Sequence, residues 1–505
     1  MNRRRFNLPK SRKSKIVACT AIVAAIGGSA IAATAGATPA PTTVQSTAGS
    51  HPGKATVYGM TGVKAEASSG LKAAIGTIQD WSTSGQLELN LENQGSGDVK
   101  TGWTATLNFP KAVSVDTPQI WGDFWNLKAE VVKASKDSGH GDQIKISPKD
   151  AAGKAENQTI AKGGKKKLTL GFSYKFDTST IPAVKADKTV QGLQPWSPYI
   201  DPTMGQSNGT ITWDKDTFSV ADYMTKKAPG TKNVTLAFIT ADTAGKPAWA
   251  GQPTLSTDKK TYIDVVNSIR EQGGDVTFSF GGANGTMIDE KQSDPDKLAE
   301  IYKKIVTDYD LTKLDFDVEG AHEQQTQVND VRAKALTKVQ AWAKQQGRQL
   351  HISYTLAVLD SHGLNDSGVA VVDQAKKAGV NVDQVNIMTM DYGSDRSDMA
   401  KAAADATDKT AAQLAKIYGK SAADMYKMIG VTPMIGVNDV PNETFKTSDA
   451  PKLRDWAKSK GVGMLSMWSA NRDQPGSKNE LYNHSGLMDQ KQGEFSEAFA
   501  QYQGK

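Results

Sequence analysis

The chain has 505 residues, of which 60 are Lys or Arg, 54 are Asp or Glu and one is Cys. This length allows one large domain and a smaller second domain. The single cysteine, Cys19, lies in a segment that we expect to be removed. The composition therefore excludes a disulfide scaffold and cysteine chemistry in the mature chain.

Residues 1–37 have the pattern of a secretory signal peptide. A head with seven cations and no acid precedes an apolar run over Ile16–Ala33, and small-x-small cleavage motifs follow within Ala33–Ala37. Either the general or the twin-arginine export route fits the Arg3-Arg4-Arg5 head. We therefore expect a secreted, extracellular protein with no membrane association after cleavage.

The basic balance of the full chain belongs to this leader. Its seven cations account for the change in formal net charge from +6 to −1 when residues 1–37 are removed. No basic patch remains that would indicate a nucleic-acid or membrane partner. A nearly neutral secreted protein suits an uncharged polymer as its substrate.

A change in composition and residue pattern near residue 75 predicts a domain boundary. Residues 38–74 are rich in Ala, Thr, Ser, Gly and Pro, which predicts a flexible linker. Over residues 75–177, short runs such as Gln86–Glu92, Gly102–Phe109 and Lys167–Phe172 alternate between apolar and polar side chains. Alternation without a helical period predicts an all-β sandwich.

Four tryptophans lie in this β-rich segment. Trp103 falls inside an alternating run and is predicted to lie in the core, whereas Trp81, Trp121 and Trp125 lie beside turn residues. Exposed aromatic rings stack on the apolar faces of sugars, so these three are candidate carbohydrate-binding residues. The alternative is that they cap the ends of the sandwich.

Several short motifs accompany these tryptophans: Asp80-Trp81, the turn Asn93-Gln94-Gly95, Gly102-Trp103, the stretch from Trp121 to Asn126, and Ile160–Gly164. Together they resemble a family 2 carbohydrate-binding module. The resemblance implies that Trp81, Trp121 and Trp125 bind chitin or cellulose. The family usually closes its ends with a cysteine pair, which this chain lacks.

Residues 178–194 are predicted to link this segment to a second domain at 195–505. Eight strands are predicted there, around Tyr199–Asp201, Val234–Thr240, Asp275–Phe280, Leu314–Glu319, Leu350–Leu359, Val385–Tyr392, Ile429–Val437 and Gly463–Trp468. Helices are predicted between them, for example at Thr261–Gln272, Pro295–Tyr309, Asn329–Gln346, Ser367–Ala378, Thr410–Tyr418 and Ala450–Ser459. The alternation predicts an α/β fold, a (β/α)8 TIM barrel, whose catalytic groups lie at the carboxyl ends of the strands.

The fourth predicted strand ends in a row of acids. Its residues alternate, with Leu314, Phe316 and Val318 on one face and Asp315, Asp317 and Glu319 on the other. Three carboxyl groups at steps of ~6.5 Å repel one another and hold at least one proton at neutral pH, which indicates catalysis. Two other interpretations remain. One is a calcium loop, although its twelfth position is Thr326 where a Glu is required, and the other is a solvated acidic edge strand.

Other strand ends carry residues that suit a sugar site. Ser279, Gly281 and Gly282 end the third strand, and the two glycines allow a close approach of backbone. Met388, Asp391 and Tyr392 end the sixth, and Trp468 ends the eighth. No histidine cluster has metal-ligand spacing and no glycine loop carries a phosphate-binding lysine, so neither a metal nor a cofactor is expected.

In this order along the barrel, Ser279-x-Gly281-Gly282, Asp315-x-Asp317-x-Glu319, Met388–Tyr392 and Trp468 resemble glycoside hydrolase family 18, the chitinases. The resemblance implies a retaining mechanism in which the N-acetyl group of the substrate is the nucleophile, an exception to the two-carboxylate scheme. It implies that Glu319 is the general acid and then the base, that Asp317 orients the acetamido group, and that Asp315 shares a proton with Asp317. Tyr392 or Asp391 would bind the acetamido group and Trp468 would form the floor.

Two positions depart from the family pattern, since Thr312 and Met390 stand where the family has an aspartate and a tyrosine. The resemblance implies a monomeric chitinase that acts on β-1,4-linked N-acetylglucosamine polymers. Two alternatives remain, an endo-β-N-acetylglucosaminidase that acts on N-glycans and a non-catalytic chitin-binding lectin. The sequence leaves the choice between endo and exo action open.

Overall fold

The computed structural model describes residues 42–45, 63–80, 84–100, 102–121, 127–135, 138, 140–149, 159–204, 209–214, 216–393, 395–440, 442–479 and 481–504. The predicted signal peptide, Trp81 and Trp125 lie outside these ranges. Trp121 lies within them, with only its backbone described.

The described residues before position 177 form nine strands. They are β1 (Thr42–Gln45), β2 (Lys64–Ala67), β3 (Leu71–Asp80), β4 (Ser84–Asn93), β5 (Ala105–Asn108), β6 (Val113–Trp121), β7 (Leu127–Val132), β8 (Gln143–Pro148) and β9 (Lys165–Phe176). One antiparallel sheet has the order β1-β3-β4-β9-β6 and the other has the order β2-β5-β8-β7.

Both sheets contribute to one apolar cluster. Leu87, Leu89 and Leu91 of β4 and Ile144 and Ile146 of β8 are buried in it, because alternate residues of a strand point to the same face. Trp103 is fully buried in the same cluster, so the prediction that it lies in the core is confirmed.

Both segments that were expected to be linkers contain buried side chains. Within the expected flexible segment 38–74, β2 and the start of β3 form strands because Val63 and Leu71 bury side chains in the apolar cluster. The expected linker 178–194 packs against the second part of the chain, with Ile181 and Val190 buried.

The second part contains strands β10 (Tyr199–Ile200), β11 (Thr210–Trp213), β12 (Asp216–Ser219), β13 (Asn233–Ala241), β14 (Pro247–Trp249), β15 (Asp275–Gly281), β16 (Lys313–Val318), β17 (His351–Leu359), β18 (Gly363–Leu364), β19 (Val382–Met388), β20 (Ile429–Thr432), β21 (Gly436–Val437), β22 (Thr444–Phe445) and β23 (Met464–Leu465). Its helices are α1 (Val220–Asp222), α2 (Ile263–Glu271), α3 (Ile288–Lys291), α4 (Pro295–Tyr309), α5 (Thr326–Gln345), α6 (Asp366–Lys377), α7 (Met399–Tyr418), α8 (Ala422–Met425), α9 (Asp449–Lys460) and α10 (Glu494–Phe499).

Eight of these strands follow one another in parallel, in the order β10-β13-β15-β16-β17-β19-β20-β23. The last strand meets the first, since the N–H groups of Ser197 and Tyr199 donate to the carbonyls of Leu465 and Met467 at 3.1 Å each. Each of the eight predicted strands overlaps one strand of this path. The prediction of a TIM-like α/β domain is therefore confirmed.

The apolar face of β16 is covered by helices, as its alternation predicts. Phe316 stacks on Phe280 of β15 with ring centroids 5.3 Å apart and meets Tyr302 of α4 edge-on at 5.4 Å. Helix α4 starts where Asp294 caps its first turn before Pro295, and it ends at Asp310 in a left-handed conformation. The packed apolar face fixes which side of β16 the acids take.

A buried charge cluster holds the 178–194 segment against the amino ends of the strands. The Asp275 carboxylate forms ion pairs with Arg270 Nε at 2.9 Å and with Lys313 Nζ at 2.5 Å. All three side chains are almost completely buried. Lys313 also donates to the Val190 carbonyl at 2.9 Å, and Arg270 to the Val184 carbonyl at 2.8 Å.

Within the described ranges, no helix has the length and apolar character that a bilayer crossing requires.

Candidate active site

Strand β16 brings the predicted acid row into the interior of the barrel. Asp315 lies opposite Ser279 on β15 and Ser353 on β17, and Asp317 lies opposite Gly281 and Thr355. Both aspartates are buried, whereas Glu319, one residue past the end of the strand, is half-buried. The row therefore leads from the core of the barrel to its carboxyl-end mouth.

Four hydroxyl groups surround Asp315, the deepest acid. Ser353 and Ser279 donate to its two oxygens at 2.6 Å each, Thr355 donates at 2.9 Å and Tyr199 at 3.0 Å. Burial raises the pKa of Asp315, and these donors oppose the rise because they stabilise the charged form. The arrangement supplies only donors to this carboxyl group.

Asp317 and Glu319 form a hydrogen-bonded pair of carboxyl groups. Burial, together with the negative charge of Glu319, raises the pKa of Asp317 well above its usual range. Burial raises the pKa of Glu319 to about 7, with a further increase from Glu323 and Asp391, while the hydrogen bond from Asp317 opposes it. The proton of this pair thus lies on Asp317, and Glu319 titrates near neutrality, which suits a general acid and base.

The glycines at the end of β15 allow a close backbone approach to Asp317. Gly281 has a φ of +108°, and a Cβ there would lie 2.0 Å from the Asp317 carbonyl oxygen. The N–H of Gly282 donates to the same oxygen at 3.0 Å. The end of β15 therefore supports the acid row through Ser279, and through Gly281 and Gly282 it fixes the backbone position of Asp317.

Trp468 is half-buried beside the same site. Its ring stacks on Phe238 with centroids 5.5 Å apart and an interplanar angle of 20°, and it lies 5.9 Å from the ring of Tyr199. Because the hydroxyl of Tyr199 donates to Asp315, one tyrosine joins the indole to the acid row. This provides an aromatic floor next to the carboxyl groups.

The end of the sixth barrel strand differs from the prediction. Strand β19 stops at Met388, which is half-buried, and Asp391 takes a left-handed conformation with a φ of 50°. The Asp391 carboxylate accepts the N–H of Val440 at 3.1 Å, and burial together with the charge of Asp439 raises its pKa to about 6. The predicted strand end at Tyr392 is wrong because the chain turns before it.

This turn sends Asp391 and Tyr392 to different places. The charge of Asp391 acts on Glu319, so Asp391 belongs to the acid cluster. Tyr392 is buried, its N–H donates to Glu443 at 2.9 Å, and the Arg396 guanidinium lies 5.9 Å from its ring. Of these two candidates, the structure brings Asp391 to Glu319.

Sequence reasoning missed several residues that line the interior. Tyr199, Ser353, Thr355 and Asn386 all bond to Asp315 or to its hydroxyl partners. A signal was present, because polar residues at alternate positions of β17 and at the centre of the apolar β19 contradict a purely apolar core. Glu323, which follows the acid row by four residues and accepts from Asn365 at 2.7 Å, was missed as well.

Thr312, at the position where the family has a further acid, faces away from the row. Its hydroxyl donates to the Gln191 carbonyl at 2.9 Å and to Asp275 at 3.2 Å. In the part of the chain that the structure describes, no group of three or more His, Cys, Asp or Glu side chains is arranged to hold a metal ion.

Comparison with known proteins places this chain in a family. The catalytic domain of a hyperthermophilic chitinase from Pyrococcus furiosus is 36% identical, with a TM-score of 0.53, and the match covers 61% of this chain and 96% of that structure. The chain belongs to the family 18 chitinases, which are glycoside hydrolases. No family profile matches the chain.

Two curated proteins also match this chitinase-family chain. A probable bifunctional chitinase/lysozyme of Escherichia coli K12 is 33% identical over 339 residues, and Endochitinase 11 of Metarhizium anisopliae is 33% identical over 308 residues. The matches cover 64% and 59% of this chain, but only 36% and 56% of those proteins. The chain thus spans about a third and about half the length of the curated relatives it matches.

Proposed function

We propose that the protein is a secreted chitinase that hydrolyses β-1,4-linked N-acetylglucosamine polymers with retention at the anomeric carbon. The observation that carries the proposal is the Asp317–Glu319 pair. It supplies a protonated aspartic acid and a glutamic acid with a pKa of about 7 beside an aromatic floor. The relatives named as chitinases support the polymer as substrate.

In the first step, the acetamido carbonyl oxygen of the bound sugar attacks its own anomeric carbon. The glycosidic carbon–oxygen bond breaks, and the leaving oxygen takes the proton of Glu319. The sugar becomes an oxazolinium ion, whose positive charge is stabilised by the negative charge of the acid row beside it.

In the second step, water attacks the same carbon from the side that the leaving group vacated. The Glu319 carboxylate takes a proton from this water, the oxazolinium ring opens, and the acetamido group is restored. Two inversions at one carbon give net retention. Asp317 orients the acetamido group, Asp391 hydrogen-bonds to it, and Trp468 supports the sugar face.

The decisive experiment compares the wild-type protein with Glu319→Gln on colloidal chitin. We expect the wild-type protein to release soluble oligosaccharides and the variant to release none, although the two proteins have the same circular-dichroism spectrum. NMR of the first product of the wild type should show the β-anomer. Release of intact N-glycans from a glycoprotein without chitin cleavage would instead identify an endo-β-N-acetylglucosaminidase. Tight chitin binding without turnover in the wild type would identify a lectin.

We further propose that residues 64–176 are a β-sandwich carbohydrate-binding module. The two antiparallel sheets around one apolar cluster support it, as does the position of Trp121 at the end of β6. In the full-length protein, joint replacement of Trp81, Trp121 and Trp125 by Ala should reduce retention on insoluble chitin. Turnover of soluble oligomers should stay unchanged, and unchanged retention would contradict the proposal.

Export and a monomeric state are also part of the proposal. The basic head and apolar run of residues 1–37 support export. Mass spectrometry of protein from the culture medium should give an N-terminus within residues 34–38. Sedimentation of that protein should give a single species with the mass of one mature chain, and a protein retained in the cells or a dimer would contradict these two expectations.

A further inference from the structure

Asn386 is a buried amide on β19 that touches two of the hydroxyl groups around Asp315. Its Nδ2 donates to Thr355 Oγ1 at 3.0 Å and to the Tyr199 hydroxyl at 3.3 Å. Its Oδ1 accepts from Thr432 Oγ1 at 2.8 Å, which fixes the end of the amide that faces the hydroxyls. Because an amide nitrogen only donates, both hydroxyl oxygens are acceptors toward Asn386.

The two hydroxyls have only one proton each to give. Their oxygens lie 2.9 Å apart, so in the absence of Asn386 one hydroxyl donates to the other and a single proton remains for Asp315. When the two N–H groups of Asn386 occupy the acceptor sites, both protons are free for Asp315. The distances fit, at 3.0 Å from Tyr199 and 2.9 Å from Thr355.

We propose that Asn386 is a positioning residue that turns the hydroxyl protons of Tyr199 and Thr355 onto Asp315 and holds Asp315 as an acceptor-only carboxylate. The mobile proton of the acid row then lies on Asp317, which hydrogen-bonds to Glu319, and not on the deeper Asp315. Asn386 itself touches neither substrate nor the reacting atoms. It acts through the two hydroxyl groups.

Few charges face Asp315 in the described part of the barrel. Tyr199 on β10 and Asp317 on β16 are titratable, and Lys313 lines the same interior cavity while paired with Asp275 of β15 at 2.5 Å. The other polar groups that line the cavity are neutral: Gln194, Ser197, Asn233, Thr235, Thr277, Ser353, Gln384 and Asn386. Asn386→Leu therefore acts on Asp315 without altering another charge.

The test uses the full-length protein and a soluble chromogenic N-acetylglucosamine oligomer, so it rests on the proposed function. Asn386→Asp replaces the donor by an acceptor that draws both hydroxyl protons away, and Asn386→Leu removes the donor. In each variant, we expect the acidic limb of the kcat/KM profile to move up by about one pH unit, a loss of about tenfold below that limb. Activity near the optimum should fall less.

Asn267→Asp provides the matched control, because Asn267 is an equally buried amide that bonds to Val184 and Pro182, far from the acid row. We expect its acidic limb to coincide with that of the wild type. If the Asn386 variants lose the same fraction of activity at every pH, Asn386 is only structural and the proposal is overturned. If Asn386→Asp does not fold, Thr432→Val, which frees the amide, must give a smaller shift in the same direction.

A second measurement separates this proposal from the proposed function. With less donation to Asp315, the folded state of Asn386→Leu holds a proton to higher pH than that of the wild type. Its unfolding temperature should therefore fall more steeply as the pH rises above the ordinary pKa of an aspartic acid. This readout needs no substrate. A slope equal to that of the wild type would overturn the inference even in an active chitinase, whereas a steeper slope in a protein without turnover would refute only the function.

Discussion

The carboxyl group of Asp317 hydrogen-bonds to that of Glu319, an acid two residues further along the chain, at the mouth of the barrel. Two ionised carboxylates in hydrogen-bond contact would repel each other, so the contact requires that one of them holds a proton. Burial raises both pKa values, and Gly281 allows the close approach that fixes Asp317. The pair is thus prepared to give one proton and hold another.

The first prediction concerns pH and activity. Because the pKa of Glu319 is about 7, the acid form is lost as the pH rises through that value, and kcat should fall about tenfold per pH unit above it. Asp317→Asn removes the carboxyl group that orients the acetamido group and hydrogen-bonds to Glu319, so kcat should drop by about 10²–10³-fold. Steady-state kinetics on oligomers between pH 4 and pH 9 test both. A profile that stays flat up to pH 9 would contradict the assignment of Glu319.

The second prediction concerns the stability cost of the acid row. The pKa of Glu319 is raised in the folded state from 4.5 to about 7, so the folded state binds its proton more tightly than the unfolded state. The free energy of unfolding therefore decreases as the pH rises from about 4.5 to 7, by up to about 3 kcal/mol for this group. Glu319→Gln should raise Tm at pH 8 and leave it almost unchanged at pH 4.

Glu300→Gln is the control for that experiment, because Glu300 is an exposed residue of α4 that pairs with Lys303. Its Tm should match the wild type within about 1 °C at both pH values. An equal stabilisation by Glu319→Gln at pH 4 and pH 8 would show that its gain does not come from the proton.

The third prediction concerns the approach of β15 to β16. In Gly281→Ala, the new Cβ would lie 2.0 Å from the Asp317 carbonyl oxygen in a backbone conformation that alanine rarely adopts. We expect a loss of about 2–4 kcal/mol of stability and a large loss of kcat, since Asp317 must shift. Gly192→Ala, where a Cβ meets nothing within 4 Å, should be nearly neutral. Urea unfolding of both variants measures the difference, and equal losses would refute the steric argument.

The fourth prediction concerns the buried cluster at the other end of the barrel. Asp275→Ala leaves Arg270 and Lys313 buried without their partner and should destabilise the fold by about 3–5 kcal/mol. The specific activity of the folded fraction should be retained, because Asp275 lies on the side opposite to Glu319. Asp296→Ala, which removes an exposed pair with Lys338, should cost less than 1 kcal/mol. A similar cost for the two variants would contradict the prediction.

The fifth prediction concerns Tyr482, whose side chain is 70% exposed in the chain segment after β23. The carbonyls on either side of it are held, one by Arg472 and the other by Gln474 at 2.6 Å. An exposed ring on a backbone held at both neighbouring carbonyls suits stacking against a distant sugar of a long chain. Tyr482→Ala should therefore slow hydrolysis of colloidal chitin several-fold and leave that of short oligomers unchanged. Tyr482→Phe keeps the ring and should behave as the wild type.

The local pattern of the sequence predicts the parts of the site that lie on one strand. Alternation over β16 places Asp315, Asp317 and Glu319 on one face, because the side chains of a strand point alternately to its two sides. The glycines at the end of β15 likewise mark a close approach. Both features can be predicted from the sequence without information on which strands are neighbours in the sheet.

The flanks of the domains were harder to predict because their composition is ambiguous. Residues 64–74 look like linker, yet β2 and β3 form there by pairing with strands far along the chain. The sixth barrel strand ends at Met388, earlier than its apolar pattern suggests, because a left-handed residue at Asp391 turns the chain.

By itself, the sequence determined the row of acids, the order of strands and helices and the family, since each depends on local periodicity or on short motifs. Only the tertiary structure decided which groups surround the acids. Tyr199, Thr355 and Asn386 reach Asp315 or its partners from three different strands, as closure of the barrel joins residues up to 187 positions apart. A proton's position depends on these through-space neighbours, because hydrogen bonds and burial act over a few ångströms whatever the distance along the chain.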